Sequence, residues 1–329
     1  MGTTRRNNRK LIRGMLIALI VILSLILSIL VAAVIYIEVT LGKLSRVDRV
    51  DITKDPLYQQ MLNDGQLLET DESVINILLI GQDRRPGEGR QRSDSMILCT
   101  INMKNKTLTM TSFMRDMRVE IPGYNPNKLN ATYQMGGMEL LDKTLLYNFG
   151  VVVDANIEMD FNGFMSLIDT IGGVDIEMTQ EEADYLNRRG NWGVDESTAW
   201  TWDLKAGKNH LTGEQALAYC RDRFSDPTSD FGRTARQRKV LSAMLESSKK
   251  LSVLELNNLL QKLLDMNIMT TDMTNNQIMT YTKSILPILN QLKVKNLRIP
   301  ADGTYSNDGS YLVPNIEKNK QLLAEAMAG

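Results

Sequence analysis

Residues 74–102 read VINILLIGQDRRPGEGRQRSDSMILCTIN and hold two apolar runs on either side of a charged loop. The first run, 74–80, ends at Gly81 and is typical of a strand that is buried on both faces. The second run, 95–102, has the same apolar character and is followed by a third strand pattern at 107–112. These segments predict the buried strands at the centre of the fold.

Strand and helix patterns alternate on the C-terminal side of this stretch. Helices are predicted at 138–149, 161–171, 212–220, 233–249, 253–265, 275–290 and 315–327, and further strands at 156–159, 174–178 and 294–299. This alternation predicts an α/β fold, a mixed central sheet flanked by helices in an α/β/α sandwich. Because the late strand can complete the sheet, we expect residues 73–329 to form one domain. The polar segment 181–207, which holds all three tryptophans, is expected to cross the surface.

The N-terminal segment predicts a membrane anchor. Residues 14–37 carry no charge and would span about 36 Å as a helix, which is enough to cross a bilayer core of about 30 Å. Five basic residues precede this run, and the positive-inside rule then predicts a cytoplasmic tail at 1–13. Residues 38–72 are interpreted as an extracellular lead-in. The protein is therefore expected to be a single-pass protein of the cell membrane with its catalytic domain outside.

Composition excludes several classes of function. The chain has 329 residues, 43% of them hydrophobic, so it is not disordered throughout. Its formal charge is −1, and the part outside the basic tail is acidic, which excludes nucleic-acid binding by bulk charge. A single histidine, His210, and two cysteines exclude imidazole-rich or thiolate zinc sites. We expect Cys99 and Cys220 to be separate buried thiols and His210 to be a surface residue.

Two carboxylates flank the charged loop of the opening stretch. Asp83 follows the first strand, and strand ends line the ligand crevice of an α/β sheet. Asp94 opens the next strand, and the loop can return the chain so that both carboxylates meet. Mg2+ commonly takes one or two carboxylates together with phosphate oxygens. The pair, with the arginines of the loop, therefore indicates a magnesium ion holding a phosphate or diphosphate; a solvated charged turn remains the alternative.

Arginines recur in two later segments. The pair Arg115 and Asp116, taken alone, is interpreted as a surface ion pair. If the chain runs extended after Cys220, Arg221 and Arg223 point to the same side. Asp230 is expected to cap the following helix. Three donors would then lie near its N-terminus as an anion site, namely Arg233, Arg236 and Gln237. The preference for arginine over lysine favours bidentate recognition of phosphate.

As a set, six segments resemble the LytR-CpsA-Psr family. They are INILLIGQDRRPGEGRQRSDSMILCTIN, SFMRD, IPGYNPNKLNATYQMGG, FNGFMSLIDTIGGV, LTGEQALAYCRDRF and DFGRTARQR, which occur in this order between about residues 73 and 249. The resemblance implies an extracytoplasmic, Mg2+-dependent phosphotransferase. Such an enzyme would move a glycopolymer, wall teichoic acid or capsule, from a polyprenyl diphosphate carrier to peptidoglycan, leaving a phosphodiester. It also implies a long apolar pocket for the lipid.

The resemblance also implies roles for individual residues. Asp83 and Asp94 match the acidic pair associated with the metal. The residues that match those holding the diphosphate are Arg92, Arg115, Arg221, Arg223 and Gln237. Supporting positions are Arg233, Asp230 and Asp116. We accordingly expect catalysis to depend on Asp83, Asp94, Arg92, Arg115, Arg221 and Arg223, and substrate binding to involve the same arginines with Arg233 and Gln237. Sequence leaves open whether Asp83 is also the base that accepts the proton of the attacking hydroxyl.

Two other functions stay open from sequence alone. The protein could bind polyprenyl diphosphates without turnover, as a scaffold or sensor of wall assembly. It could also hydrolyse them, with water in place of the sugar hydroxyl.

Overall fold

The computed structural model describes residues 28, 35–68, 71–84, 87–188 and 202–329. The chain divides into two compact units, Met1–Lys43 and Leu44–Gly329. In the first unit, residues 35–41 are helical. The predicted membrane helix at 14–37 lies almost entirely outside the described residues. Within the described part of the chain, no helix is both long and apolar enough to cross a membrane.

The second unit contains thirteen strands and nine α-helices among its described residues. The strands are β1 (Ser45–Arg46), β2 (Val74–Gln82), β3 (Ser93–Asn102), β4 (Thr107–Phe113), β5 (Arg118–Val119), β6 (Asn127–Lys128), β7 (Ala155–Asp160), β8 (Val174–Met178), β9 (Gly207–Leu211), β10 (Met269–Thr271), β11 (Lys293–Ile299), β12 (Tyr305–Asp308) and β13 (Tyr311–Pro314). The helices are α1 (Pro56–Asn63), α2 (Leu129–Phe149), α3 (Phe161–Thr170), α4 (Gln180–Arg188), α5 (Gly213–Arg221), α6 (Asp230–Ser248), α7 (Val253–Met266), α8 (Asn275–Ile285) and α9 (Ile316–Ala328). Short 3-10 helices span Ile52–Lys54 and Leu286–Gln291.

Seven strands form the central sheet in the order β1-β10-β7-β2-β3-β4-β11. The strands β2, β3 and β4 pair antiparallel, whereas β7 runs parallel to β2 and β11 runs parallel to β4. The predicted α/β fold with a mixed sheet is confirmed. The late strand does complete one edge of the sheet, since β11 pairs with β4 along its whole length.

Side-chain alternation along β2 explains why helices cover both faces of the sheet. Leu78 and Ile80 lie in a core cluster with apolar residues of α2 and α9. Ile77 and Leu79 pack on the opposite side, with apolar residues of α6 and the 3-10 helix Leu286–Gln291. A strand that is apolar at consecutive positions buries both faces, so the apolar run at 74–80 forms part of the middle layer.

Of the predictions about the region after β7, one is confirmed and one was wrong. The strand predicted at 174–178 is β8, which pairs with β9 in a separate two-stranded sheet. The segment 181–207 does not simply cross the surface, because it begins with α4, whose Ala183 and Leu186 are fully buried in a second core. Its apolar positions are few and lie among acids, so the helical pattern is weak in the sequence. Trp192 and Trp200 lie outside the described residues.

Three other segments differ from expectation. The helix predicted at 138–149 begins at Leu129 and bends at Gly137, whose positive φ of 68° interrupts the helical backbone. The helix predicted at 275–290 ends at Ile285 because Pro287 cannot donate the next helical hydrogen bond. The described part of the predicted lead-in is ordered from Leu44 onward, since β1 joins the sheet edge and Met61 of α1 packs in a small core with α2.

A buried polar network lies at the start of β7. Asn156 Nδ2 donates to Asp142 Oδ2 at 2.8 Å and to Asp272 Oδ2 at 2.9 Å, and Arg49 pairs with Asp272 at 2.6 Å. Burial raises the pKa of Asp142 to about 8, against the opposing effect of the Asn156 hydrogen bond. Asp142 is therefore a neutral carboxylic acid in the folded protein at pH 7.

This network predicts a specific pH dependence of stability. The pKa of Asp142 in the folded protein lies above its unfolded value of 3.8. Its stabilising contribution to the free energy of unfolding is therefore fully present below pH 3.8 and is lost as pH rises through about 8. Asp142→Asn should remove this dependence. We expect its melting temperature to exceed that of the wild type at pH 9 by about 3 °C or more, corresponding to about 1 kcal/mol, and by less at pH 5. A difference that is constant from pH 5 to pH 9 would contradict the neutral carboxyl.

Candidate functional site

Two cavities of different character meet at the start of β3. The polar cavity, about 430 Å³, is lined by Asp83, Gln91, Arg92, Asp94, Arg115, Asp116, Asn130 and Gln134. The apolar cavity, about 500 Å³, lies between one face of the sheet and helices α3, α5 and α6. Asp94 lines both cavities. A bound molecule can therefore extend from an apolar into a polar environment past this carboxylate.

The two carboxylates predicted from sequence come together in the polar cavity. Asp83 directly follows β2, and Asp94 is the second residue of β3, the antiparallel neighbour of β2. Because the two strands pair, the loop between them returns to the same edge of the sheet, as expected. Arg92, from this loop, lines the same cavity, with its Nε 3.5 Å from Gln134 Oε1.

Arg115 is not part of an isolated surface ion pair. It follows β4, and its Nη1 donates to Asp94 Oδ1 at 2.5 Å. Its Nε lies 3.6 Å from Asp116 Oδ2 and 3.8 Å from Asp230 Oδ2. Burial alone would lower the pKa of Arg115, but the charges of Asp230 and Asp94 outweigh burial and raise it. The guanidinium is thus held charged between acids from three parts of the chain.

Asp230 does not cap α6, contrary to the prediction. It is the first residue of the helix, and Ser229 occupies the cap position without a side-chain capping bond. The Asp230 carboxylate instead accepts from Arg233 Nε at 2.7 Å and lies 3.5 Å from Arg223 Nε. Both guanidinium contacts of this carboxylate are charge-assisted. Although burial opposes it, Arg233 and its neighbours lower the pKa of Asp230.

Three arginines converge on one carboxylate at this site. Arg115, Arg223 and Arg233 all approach Asp230. Burial lowers the pKa of Arg223, and the positive charges of Arg115 and Arg233 also lower it, whereas the charges of Asp230 and Asp94 raise it. An anion bound beside these guanidinium groups gains charge-assisted hydrogen bonds. We call these three residues the arginine cluster.

The structure also brings Arg221 and Arg223 together, as expected. Arg221 ends α5, the chain is extended at Asp222, and both arginines line the polar end of the apolar cavity. Arg221 Nη2 lies 4.0 Å from Asp83 Oδ2, and its guanidinium stands 4.7 Å from the centre of the Phe161 ring.

Of the three donors predicted on α6, two reach the cavity. Arg233 donates to the backbone oxygen of Asp94 at 2.8 Å, and Gln237 accepts from Ser95 Oγ at 3.0 Å. Arg236 points away, because it is buried among Glu182, Asp222 and Asp226 and donates to Glu182 Oε1 at 2.8 Å. The prediction that Arg236 contributes to an anion site was therefore wrong: its charge is matched by buried acids.

The sequence analysis missed the amide side chains of the polar cavity. Asn130 and Gln134 lie one turn apart on α2, before the bend at Gly137. Their segment was not predicted to be helical, so no signal placed them together. Arg90 holds this part of α2: its guanidinium stacks 5.9 Å from the Tyr133 ring and lies against Gly137, where a side chain would collide with it.

Most of the apolar cavity wall is hydrocarbon. The apolar residues that line it are Leu79, Ile80, Ile97, Ile157, Met159, Phe161, Phe164, Leu167, Leu217, Phe224, Leu241, Met244 and Met269. Cys220 also lines it, and burial raises the pKa of its thiol to about 12. Both cysteines are free, as predicted. His210 is exposed on β9, as predicted, where it bonds Asp175 at 2.8 Å.

The acids of the polar cavity suit a metal ion that needs few protein ligands. Within the described ranges, no group of three or more His, Cys, Asp or Glu side chains is placed to hold a metal. Mg2+ in phosphate sites typically takes only one or two carboxylates and completes its shell with water and phosphate oxygens. Asp83 and Asp94, lining one cavity, fit that donor set.

Comparisons with known proteins identify a family and several relatives. Residues 40–328 match the model of the LytR_cpsA_psr family. The polyisoprenyl-teichoic acid–peptidoglycan teichoic acid transferase TagU of Bacillus mycoides is 33% identical over 247 residues, covering 74% of this chain and 75% of the relative. The crystal structure of TagT from B. subtilis superposes with a TM-score of 0.61 at 26% identity, covering 79% of this chain and 94% of TagT. A structure of TagT bound to LIIa-WTA gives the same values.

Proposed function

The chain belongs to the LytR-CpsA-Psr family, and from this premise we propose that it transfers a glycopolymer, of the teichoic acid or capsule type, from a polyprenyl diphosphate carrier to peptidoglycan. The name of the TagU relative, a polyisoprenyl-teichoic acid–peptidoglycan teichoic acid transferase, supports this activity. The single structural observation that carries the proposal is the junction of an apolar and a polar cavity beside the arginine cluster. A lipid-linked diphosphate has an apolar tail next to an anion, which matches the apolar cavity and the arginine cluster beside it.

The substrate fits the site in one direction. The polyprenyl tail occupies the apolar cavity, whose wall is mostly hydrocarbon. The diphosphate binds at its polar end, where Arg221, Arg223 and Arg233 supply fixed guanidinium groups. The glycopolymer then extends from the diphosphate towards solvent.

In this reaction the protein must align the reacting groups and neutralise the charge of the diphosphate. It need not form a covalent bond to the substrate. The acceptor hydroxyl oxygen bonds to the phosphorus that carries the glycopolymer, and the bond from that phosphorus to the bridging oxygen breaks. Polyprenyl phosphate leaves with the electron pair, and the hydroxyl proton passes to a carboxylate, which we assign to Asp83. Arg92, Arg115, Arg221 and Arg223 stabilise the negative charge that moves to the leaving group.

We also propose that the reaction depends on Mg2+, held by Asp83 and Asp94. When bound, the ion supplies positive charge to the diphosphate oxygens. The proposal further places the domain outside the cell membrane, anchored by residues 14–37, because that uncharged run follows five basic residues.

Product analysis tests the proposed function. The full chain, in vesicles with a polyprenyl diphosphate-linked glycopolymer, Mg2+ and peptidoglycan, should form a polymer–peptidoglycan phosphodiester. Removal of Mg2+ with EDTA should stop the reaction and Mg2+ should restore it. Release of free polymer phosphate without conjugate would identify a hydrolase. Bound but unaltered lipid would identify a scaffold.

Cys220 provides a test of lipid binding that is independent of turnover. Burial and its raised pKa make this thiol react slowly with N-ethylmaleimide. Because Cys220 lines the apolar cavity, a bound polyprenyl diphosphate should lower this slow rate of alkylation by a further factor of about 10 or more. Cys99 lies on β3 outside the cavity lining and serves as the internal control. The two rates are measured by mass spectrometry of the labelled peptides. Equal rates at Cys220 with and without lipid would contradict the assignment of the tail to this cavity.

A further inference from the structure

The polar cavity contains groups that recognition of a diphosphate does not require. Besides its charged residues, three amide side chains line it: Gln91, Asn130 and Gln134. An amide both donates and accepts hydrogen bonds, which matches the hydroxyl groups of a sugar. Diphosphate oxygens, by contrast, only accept, and the arginines already supply donors to them. The amides therefore indicate a second, uncharged ligand.

Asn130 is the clearest sign of this ligand. Its side chain is only 6% exposed, and its Oδ1 has no hydrogen-bond partner among the described residues. A buried polar atom without a partner destabilises the folded protein. The bend at Gly137 and the Arg90–Tyr133 contact fix the segment that carries Asn130. Because Asn130 lines the polar cavity, a ligand in that cavity is the partner that we assign to this atom.

The direction of phosphoryl transfer decides which part of the substrate enters this cavity. The attacking and leaving oxygens lie roughly in line across the phosphorus. In the proposed function, on which this inference rests, the leaving polyprenyl phosphate occupies the apolar cavity. The attack must then come from the opposite side of the phosphorus. Since the two cavities meet at Asp94, that side is the polar cavity.

We infer that the polar cavity is the acceptor site, in which Asn130 and Gln134 bind hydroxyl groups of the acceptor sugar. The hydroxyl that attacks then lies next to Asp83, which lines the same cavity and takes its proton. Asn130 is a specificity-determining residue in this arrangement: it fixes the sugar and leaves the bond changes to the carboxylate and the arginines.

A smaller polar cavity of about 160 Å³ offers a natural comparison. It lies beside β7 and is lined in part by Arg84, Asp160, Asn162 and Ser166. Its lining includes neither Asp83, Asp94 nor Arg115. A sugar bound there would not face the phosphorus from the side opposite the leaving group. Asn162 therefore provides a matched amide in a polar cavity that the inference does not assign to the acceptor.

The experiment compares Asn130→Ala, Gln134→Ala and Asn162→Ala in the full chain. For the first two variants we expect the KM for peptidoglycan to rise about 10-fold or more. Binding of the polyprenyl diphosphate lipid, measured by shielding of Cys220, should stay within about 2-fold of the wild type. Asn162→Ala should change neither quantity. Circular dichroism verifies that each variant folds. Because Gln134 is exposed, Gln134→Ala should fold, and it still tests the acceptor site if Asn130→Ala does not fold.

Each outcome separates this inference from the proposed function. An unchanged KM for peptidoglycan in Asn130→Ala and Gln134→Ala, with lipid still bound, overturns the acceptor site and leaves the transferase intact. A raised KM in Asn162→Ala alone overturns it in favour of the smaller cavity. If the wild type shows no shielding of Cys220 and no conjugate, the proposed function itself fails.

Discussion

Replacing Asp94 with asparagine should lower the rate of glycopolymer transfer at least about 100-fold while the domain stays folded. Asp94 lines both cavities, and its carboxylate pairs with Arg115 at 2.5 Å. The variant loses this ion pair and one of the two proposed Mg2+ ligands, so the diphosphate is bound with less positive charge in place. Asp83→Asn should have an effect of similar size, because it removes the other ligand and the proposed base.

The measurement is the initial rate of conjugate formation at saturating lipid, repeated over a titration of Mg2+. Both variants should need more Mg2+ for half-maximal rate than the wild type. Asp308→Asn is the control, since this carboxylate is 65% exposed on β12 and pairs with Arg118 at 3.4 Å. Full rates with the wild-type Mg2+ requirement in both Asp83→Asn and Asp94→Asn would refute the metal assignment.

Arg221→Lys and Arg223→Lys should each lower the rate about 10- to 100-fold. Lysine keeps the charge but loses the planar fork that binds two phosphate oxygens at once. Arg221 also loses its stacking on Phe161. The double variant should fall by less than the product of the single effects, because a diphosphate that has lost one contact can shift away from the other.

Rates of the two single variants, the double variant and Arg188→Lys decide this prediction. Arg188 is 80% exposed at the end of α4 and controls for a general effect of the substitution. Wild-type rates in Arg221→Lys and Arg223→Lys would mean that these side chains are not used to bind the diphosphate. Strictly multiplicative effects would mean that the two arginines act on different groups.

The parts of the fold and site that could be predicted are those encoded by local patterns. The apolar run at 74–80 and the paired run at 95–102 place two neighbouring strands in the core, and the short loop between them forces Asp83 and Asp94 to one edge. Likewise, the extended chain at Asp222 places Arg221 and Arg223 side by side.

The parts that could not be predicted depend on contacts between distant segments. Asp230 lies three residues before Arg233, and Arg236 lies three residues after it. Asp230 nevertheless contacts the arginine cluster, whereas Arg236 contacts buried acids of α4 and of the loop before α6. No local pattern distinguishes these two directions. The start of α2 was misplaced for a related reason: its first turns carry the polar residues Asn130 and Gln134, which line a cavity.

The arrangement around Asp230 has a consequence for how the protein balances stability against activity. The arginine cluster forms when the protein folds, before any substrate binds. Repulsion among its arginines therefore lowers the stability of the folded state. Such preorganisation favours catalysis because little rearrangement is needed when negative charge develops. An anion that binds to the folded protein therefore also stabilises it against unfolding. A neutral residue in place of Arg223 would relieve the repulsion. The domain would then be more stable against unfolding and less active.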